Sequence, residues 1–262
     1  MPSQSGRGPG SASVPTRRRV AGAEDVASAL AGGEPIVAVL VPRRGASAEA
    51  EALAERAAEA GIDVQRVGPR KFERLQGQHA SAEILALVGP SPKAEMAEVM
   101  DRGGAVWLLT GPAYPGNVGF AIRIAEVSGA DGLYVDNDFD HTKRREARRT
   151  SMRADRFMPL GWEPAHRVID AALAADKTII GVEDVGTVAP WETRLSGSVL
   201  FIAGGEAEGI PRAVLDRCHT VVRIPMAGFV ASYNLQAALA VMAAERFRQS
   251  GSGNPVPLEE SS

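Results

Sequence analysis

The sequence predicts an α/β protein with a mostly parallel sheet, on three observations. Apolar runs of strand length alternate with amphipathic stretches of helical period from Asp25 onward. In the second half of the chain, strand candidates are separated by helix candidates, the connection that parallel neighbours need and that covers both faces of a sheet. At 262 residues and 45% hydrophobic, the chain buries a full core, enough for one large domain or two modest ones. Two are expected.

Residues 1–16 are rich in Ser, Gly and Pro and lack the apolar block of a secretory signal. With Arg17, Arg18 and Arg19 they read as a disordered basic tail over 1–19. A helix near 26–31, a strand 36–41, a helix 48–60, a strand 63–67, a short helix around 72–76 and a strand 84–88 make a small α/β unit. The break Gly89-Pro90-Ser91-Pro92, a helical stretch 94–100 and the turn Gly103-Gly104 mark the domain junction, giving domains over 20–95 and 96–249. Strands are then expected at 106–109, 132–135, 178–182, 199–202 and 220–224, with helices beginning near Asn117, His141, Pro164 and Pro211. A last helix covers 232–248, where Leu235, Ala238, Leu239 and Met242 fall at i, i+3, i+4 and i+7 and form one buried face. Residues 250–262 are polar and Pro rich, have nothing to bury, and read as a second disordered tail.

Composition narrows the function. The longest clean apolar run, 36–41, is strand-sized, so no membrane span is expected. The single cysteine, Cys218, excludes an internal disulfide and a cysteine-cluster metal site, and fits a reducing, cytoplasmic compartment. The formal charge is −3, yet residues 1–19 hold four arginines and no acid, which leaves −7 for the remainder. Within that acidic remainder Lys143, Arg144, Arg145, Arg148, Arg149, Arg153 and Arg156 form one basic block, diluted only by Glu146 and Asp155. So many like charges in fourteen residues are expected to face solvent or a polyanion, and they suit phosphates.

Ligands of open α/β sheets bind where loops leave the carboxyl ends of strands, and three such segments stand out. The first, 111–123, leaves a strand and enters a helix with Asn117 at a capping position. Val118, Ala121, Ile122 and Ala125 form the buried stripe of that helix, which turns Gly119 and Arg123 to another face one turn apart, the glycine leaving room that the guanidinium can fill. The second, 201–211, sets Gly204, Gly205 and Gly209 around Glu206, so that backbone amides and carbonyls can approach a ligand. It is not a dinucleotide fingerprint, since the G-x-G-x-x-G spacing is absent from the chain. The third, 224–235, carries Ser232 as the cap of the last helix and Asn234 in its first turn, where a poor helix former needs another reason to stand.

Taken together and in this order, the segments resemble the three motifs of the SpoU family of RNA ribose methyltransferases, also called the TrmH family, of the SPOUT superfamily. The matching residues are Asn117, Gly119 and Arg123, then Gly204, Glu206 and Gly209, then Pro225, Met226, Ser232 and Asn234. The resemblance spans roughly 105–249, and the segment before it looks like the small substrate-binding domain, similar to a ribosomal protein, that many members carry. It implies a parallel α/β sheet whose C-terminal segment is threaded into a trefoil knot that holds S-adenosylmethionine, and a homodimer that binds RNA, ribosomal RNA rather than tRNA. No metal is implied.

By the same resemblance Val182, Gly204, Gly205, Ile224, Pro225, Met226, Tyr233 and Leu235 grip the cofactor, while Asn117, Arg123, Glu206, Ser232 and Asn234 surround the ribose hydroxyl. Arg123 is expected to anchor phosphate, since free arginine stays protonated. Glu206 is either a proton acceptor or a structural support beneath its loop. Arg144, Arg145, Arg148, Arg149 and Arg153 become the candidate RNA contacts. Tyr233 and Leu235 stand where the family usually has leucine and valine, which bears on the adenine pocket. Ser151-Met152-Arg153-Ala154 resembles the antibiotic-resistance ribosomal methyltransferases more than the tRNA enzymes.

Two other functions stay open: a knotted dimer that holds RNA without methylating it, should Tyr233 block the pocket, and a nucleotide-dependent enzyme of the doubly wound class. The acidic run 136–141 fails a calcium-loop register, which needs glycine at position 141 and glutamate at position 147, and reads as a solvated loop. His79, His141, His166 and His219 show no ligand spacing, and the three tryptophans are too scattered for a stacking platform.

Overall fold

The computed structural model describes residues 17–76, 81–230 and 232–251. Most of the two expected tails and His79 lie outside the described residues. The chain divides into two compact units between Pro90 and Ser91.

The first unit runs β1 (Arg18–Ala21), α1 (Ala23–Ala31), β2 (Ile36–Pro42), α2 (Ala48–Glu59), β3 (Asp63–Val67), α3 (Pro69–Gln76) and β4 (Leu85–Val88). Its sheet has the order β1-β4-β2-β3 and is mixed, with β2 and β3 parallel and both neighbours of β4 antiparallel to it. Ser47 opens α2 by accepting the Ala50 N–H at 3.2 Å, and the helix lays Leu53, Ala54 and Ala57 onto Val39, Val41 and Ile84. Arg18 and Arg19, read from sequence as the end of a tail, belong to β1 instead. The reason is Val20, which is buried and paired with Ala86 while the arginines on either side of the pleat stay exposed.

The second unit begins with α4 (Met96–Asp101), β5 (Ala105–Thr110), α5 (Pro115–Val127), β6 (Gly132–Asp136), α6 (His141–Thr150) and β7 (Leu160–Trp162). It continues with α7 (Ala165–Ala174), β8 (Thr178–Val182), β9 (Val199–Gly204), α8 (Arg212–Leu215), β10 (Thr220–Val222) and α9 (Leu235–Ser250). The sheet order is β10-β8-β9-β5-β6-β7 and every pairing is parallel. β5 and β9, at its centre, are apolar but for Thr110 because helices cover both faces. Val118, Ile122, Leu239 and Met242 of α5 and α9 pack on one side, and Val99, Met100, Val168 and Ile169 of α4 and α7 on the other. Each such side chain contributes about 1.5–3 kcal/mol on burial.

Burial of Val99 and Met100 against Val106 and Ile169 places α4 with the second unit, and the division falls five residues before the expected boundary at 95/96. At the amino ends of the central strands Lys177 is 2% exposed. Its Nζ donates to the Arg102 carbonyl at 2.7 Å, the Gly104 carbonyl at 3.1 Å and Ser198 Oγ at 3.1 Å. Among the described residues no helix is long and apolar enough to cross a membrane.

Candidate active site

The carboxyl ends of β5, β9 and β10 carry the three sequence segments, and that of β8 lies among them. β5 ends at Thr110, whose carbonyl accepts the Gly205 N–H at 2.7 Å. A Cβ on Gly205 would lie 2.0 Å from the Gly111 carbonyl oxygen, so only glycine lets the second segment close onto the first. Next to it, a Cβ on Gly204 would lie 2.1 Å from the carbonyl carbon of Gly209, which folds the loop back on its own strand.

Glu206 fastens this contact. Its Oε2 accepts the Ala113 N–H at 2.9 Å and its Oε1 accepts a hydrogen bond from Asn117 Nδ2. Asn117 is therefore not the cap expected of it: α5 starts at Pro115 behind Tyr114, because proline suits the first helical turn, and Asn117 sits inside that turn with its amide turned to the carboxylate. Ser232 is likewise not the cap of α9. That helix begins three residues later, with Asn234 in the capping position and no side-chain cap bond, which leaves the polar groups of both residues at the loop's disposal.

A cavity of about 370 Å³ opens between these loops. Val182, Ala203, Ile224, Leu235 and Ala238 supply apolar walls, and the backbone of Gly204, Gly205 and Gly209 forms one side. Met226 and Tyr233 lie on the wall, as do Glu206, Ser232 and Asn234. Thus seven of the eight residues expected to hold a cofactor line the cavity. The exception is Pro225, whose carbonyl instead accepts the Tyr233 hydroxyl at 3.2 Å. That bond engages the Tyr233 hydroxyl at the wall, and the cavity stays open beside the ring.

Of the five residues expected around the reacting hydroxyl, Glu206, Ser232 and Asn234 line the cavity and Asn117 adjoins it through Glu206. Arg123 does not line it. It is exposed on α5, one turn beyond Gly119, and shares that residue's face. The room at Gly119 is not filled by the guanidinium: a Cβ there would lie 2.5 Å from Thr150 Cβ and 2.6 Å from the Ala147 carbonyl oxygen, so α6 occupies it.

Glu183 and Asp184 were missed by sequence reasoning. Both follow β8 directly and line the cavity. Glu183 Oε2 accepts the Ile210 N–H at 2.7 Å and ties the glycine loop to β8. The available signal was their position, two acids at the carboxyl end of a strand. Among the described lining residues there are three carboxylates and no lysine or arginine, so the electrostatic field favours a cation over an anion.

The basic block lies on α6 and just after it. Arg145, Arg148, Arg149 and Arg153 are exposed, and Arg144 and Arg148 each hold their guanidinium 5.1 Å from the Trp162 ring centre. The expectation that the block faces outward holds for all of it but Arg144, which is half-buried over the indole. The acidic run before α6 is not simply solvated either. Asp140 caps the helix by accepting the Lys143 N–H at 2.8 Å, Asp136 accepts the Ala165 N–H at 2.9 Å, and Phe139 is buried.

The model of the SpoU rRNA Methylase family matches residues 105–244. The chain is 27% identical over 223 residues to the 23S rRNA (guanosine-2′-O-)-methyltransferase RlmB of Xylella fastidiosa, covering 82% of this chain and 90% of that protein. It is 27% identical over 207 residues to the enzyme of the same name from Pseudomonas syringae pv. tomato, covering 76% and 82%. Among solved structures, the SpoU methyltransferase AviRb of Streptomyces viridochromogenes in complex with AdoMet has a TM-score of 0.56 at 24% identity, covering 90% of this chain and 91% of that one. An AdoMet-bound rRNA methyltransferase from Sinorhizobium meliloti has a TM-score of 0.57 at 21% identity, covering 88% and 87%.

Proposed function

The chain belongs to the SpoU rRNA methylase family, and on that premise we propose that it methylates a ribose 2′-hydroxyl of ribosomal RNA with S-adenosylmethionine. The carrying observation is the cavity lined by the second and third motif segments, to which Glu206 clamps the first through Ala113 and Asn117.

The cavity suits the cofactor. About 370 Å³ lies within the range of small-molecule sites, the apolar walls fit a flat base, and Glu183, Asp184 and Glu206 favour a positively charged sulfonium and amine. The same charges oppose the pyrophosphate of a dinucleotide, which disfavours the doubly wound alternative. A silent RNA binder required Tyr233 to plug the pocket, and its ring leaves the space free.

When bound, S-adenosylmethionine would supply an electrophilic methyl carbon to the ribose oxygen, leaving as the neutral thioether while the hydroxyl proton passes to solvent. The chain's part is to hold and orient. Gly204 and Gly205 present backbone to the cofactor, while Val182, Ile224, Met226 and Leu235 exclude water from it. Asn117, Ser232 and Asn234 orient the hydroxyl. Glu206 receives two N–H bonds, so its role is the clamp between the first two segments rather than proton transfer. Arg123, outside the cavity, anchors an RNA phosphate.

The family's further features are part of the proposal. A trefoil knot is supported by the return of the chain from edge strand β10 to α9, which packs beside α5. A homodimer is supported by Phe120 on α5 and Phe247 on α9, which expose apolar rings at 44% and 41%. The first unit serves as the RNA substrate-binding domain. Calorimetry with S-adenosylmethionine, followed by mapping of 2′-O-methyl groups in rRNA treated with the protein, tests the reading. Binding without any ribose methylation would refute it.

A further inference from the structure

The arginines of α6 fall into two sets with different surroundings. Arg144 and Arg148, one turn apart, stack over Trp162, and Arg148 also pairs with Asp155 at 3.8 Å. Arg144 Nε and Trp162 Nε1 are buried without a hydrogen-bond partner among the described residues. The attraction of a cation for the indole face therefore holds that pair. Lys143 is likewise engaged, 5.4 Å from the Phe139 ring centre.

Arg145, Arg149 and Arg153 have no such engagement. All three are exposed, and no hydrogen bond or ion pair of their guanidinium groups occurs among the described residues. Arg145 and Arg149 are i, i+4 neighbours on the outer face of α6. Arg153 follows past the helix end, fixed in a left-handed conformation at φ 66°. Three unneutralised cations on and just beyond one helix, in a chain of net charge −3, are available to a polyanion. The planar fork of arginine matches a phosphate oxygen pair. The helix beneath them is rigidly placed: Asp140 caps it, Trp162 grips its inner arginines, and its backbone meets α5 at Gly119. α5 also carries Asn117, which is bonded to Glu206, so α6 packs on the helix that reaches the site.

We infer that the outer face of α6 is a docking surface for the phosphodiester backbone of the RNA, with Arg145, Arg149 and Arg153 as its phosphate contacts. Arg144 and Arg148 are taken out of that set by Trp162. The inference rests on the reading above that RNA is the substrate, and it assigns to named residues a role that the cavity alone does not.

The test measures retention of protein-free bacterial 23S rRNA by the full-length chain over a series of NaCl concentrations. Each single-strand phosphate contact contributes about 0.7 to the slope of log K against log[NaCl]. The triple variant Arg145→Gln, Arg149→Gln, Arg153→Gln is expected to lower that slope by about 2 and to weaken binding at least tenfold at physiological salt. Its affinity for S-adenosylmethionine, read by calorimetry, stays that of the wild type and shows that the fold is intact. Arg194→Gln, an exposed arginine before β9, and the pair Arg144→Gln, Arg148→Gln leave the slope unchanged. Wild-type protein that methylates rRNA alongside a triple variant of equal slope would overturn this inference alone. Wild-type protein that binds S-adenosylmethionine but retains no rRNA would remove the substrate reading with it. Competition by poly-glutamate as effective as by rRNA would point to an acidic polypeptide and also overturn it.

Discussion

Glu206 spends both carboxylate oxygens on N–H groups of the first segment, Ala113 N and Asn117 Nδ2. Hydrogen bonds to a charged group contribute about 1.5–3 kcal/mol each. Glu206→Ala should therefore slow methylation by about 10- to 100-fold through loss of alignment, while Glu206→Gln, which keeps one acceptor, recovers part of the rate. Equal rates for the two variants would argue against the clamp. Arg123 lies away from the cavity, so Arg123→Ala should abolish methylation and leave S-adenosylmethionine binding intact by calorimetry. Loss of cofactor binding in that folded variant would refute phosphate anchoring. Much of this residue-scale picture was legible in sequence, because glycine, asparagine and glutamate at strand ends have few structural reasons to be there. What sequence could not give was direction. Asn117 and Ser232 both sit near helix starts and read equally well as caps, and only the positions of Pro115 and Asn234 in the fold decide otherwise.

At the scale of elements, the crossing of α5 and α6 depends on Gly119, where a side chain would enter the backbone of Ala147. Gly119→Val should destabilise the fold by about 1–3 kcal/mol, the usual cost of overpacking, read as a lower urea midpoint. An unchanged midpoint would mean that the helices slide apart freely. Lys177 joins α4, β5 and the loop before β9 through three acceptors. Burial pushes its ammonium down to about 8 from 10.5, against the opposing pull of Asp131. Between those values the unfolded chain binds the extra proton, so this group makes the fold more stable as pH rises across the window, and its burial costs most below it. Lys177→Met should flatten the pH dependence of Tm there, whereas parallel Tm curves would contradict the assignment. Long periodic elements such as β3, β8 and α2 were legible from their patterns. β1 and β7 were not: one is half arginine and is defined by its pairing with β4, and the other has only three residues, held by β6.

For the whole molecule, charge is sorted by place. The cavity gathers Glu183, Asp184 and Glu206, while the outer face of α6 gathers arginines, and a net charge of −3 conceals both. That arrangement suits an enzyme that seats a cationic donor beside a polyanionic acceptor. The most direct test supplies S-adenosylmethionine with a tritiated methyl group and protein-free 23S rRNA, then digests the RNA to nucleosides and identifies the labelled one by mass. The account predicts label in a 2′-O-methylnucleoside from a discrete site, and none with Arg123→Ala. Label on a base, or no transfer by protein that binds the donor, would contradict it.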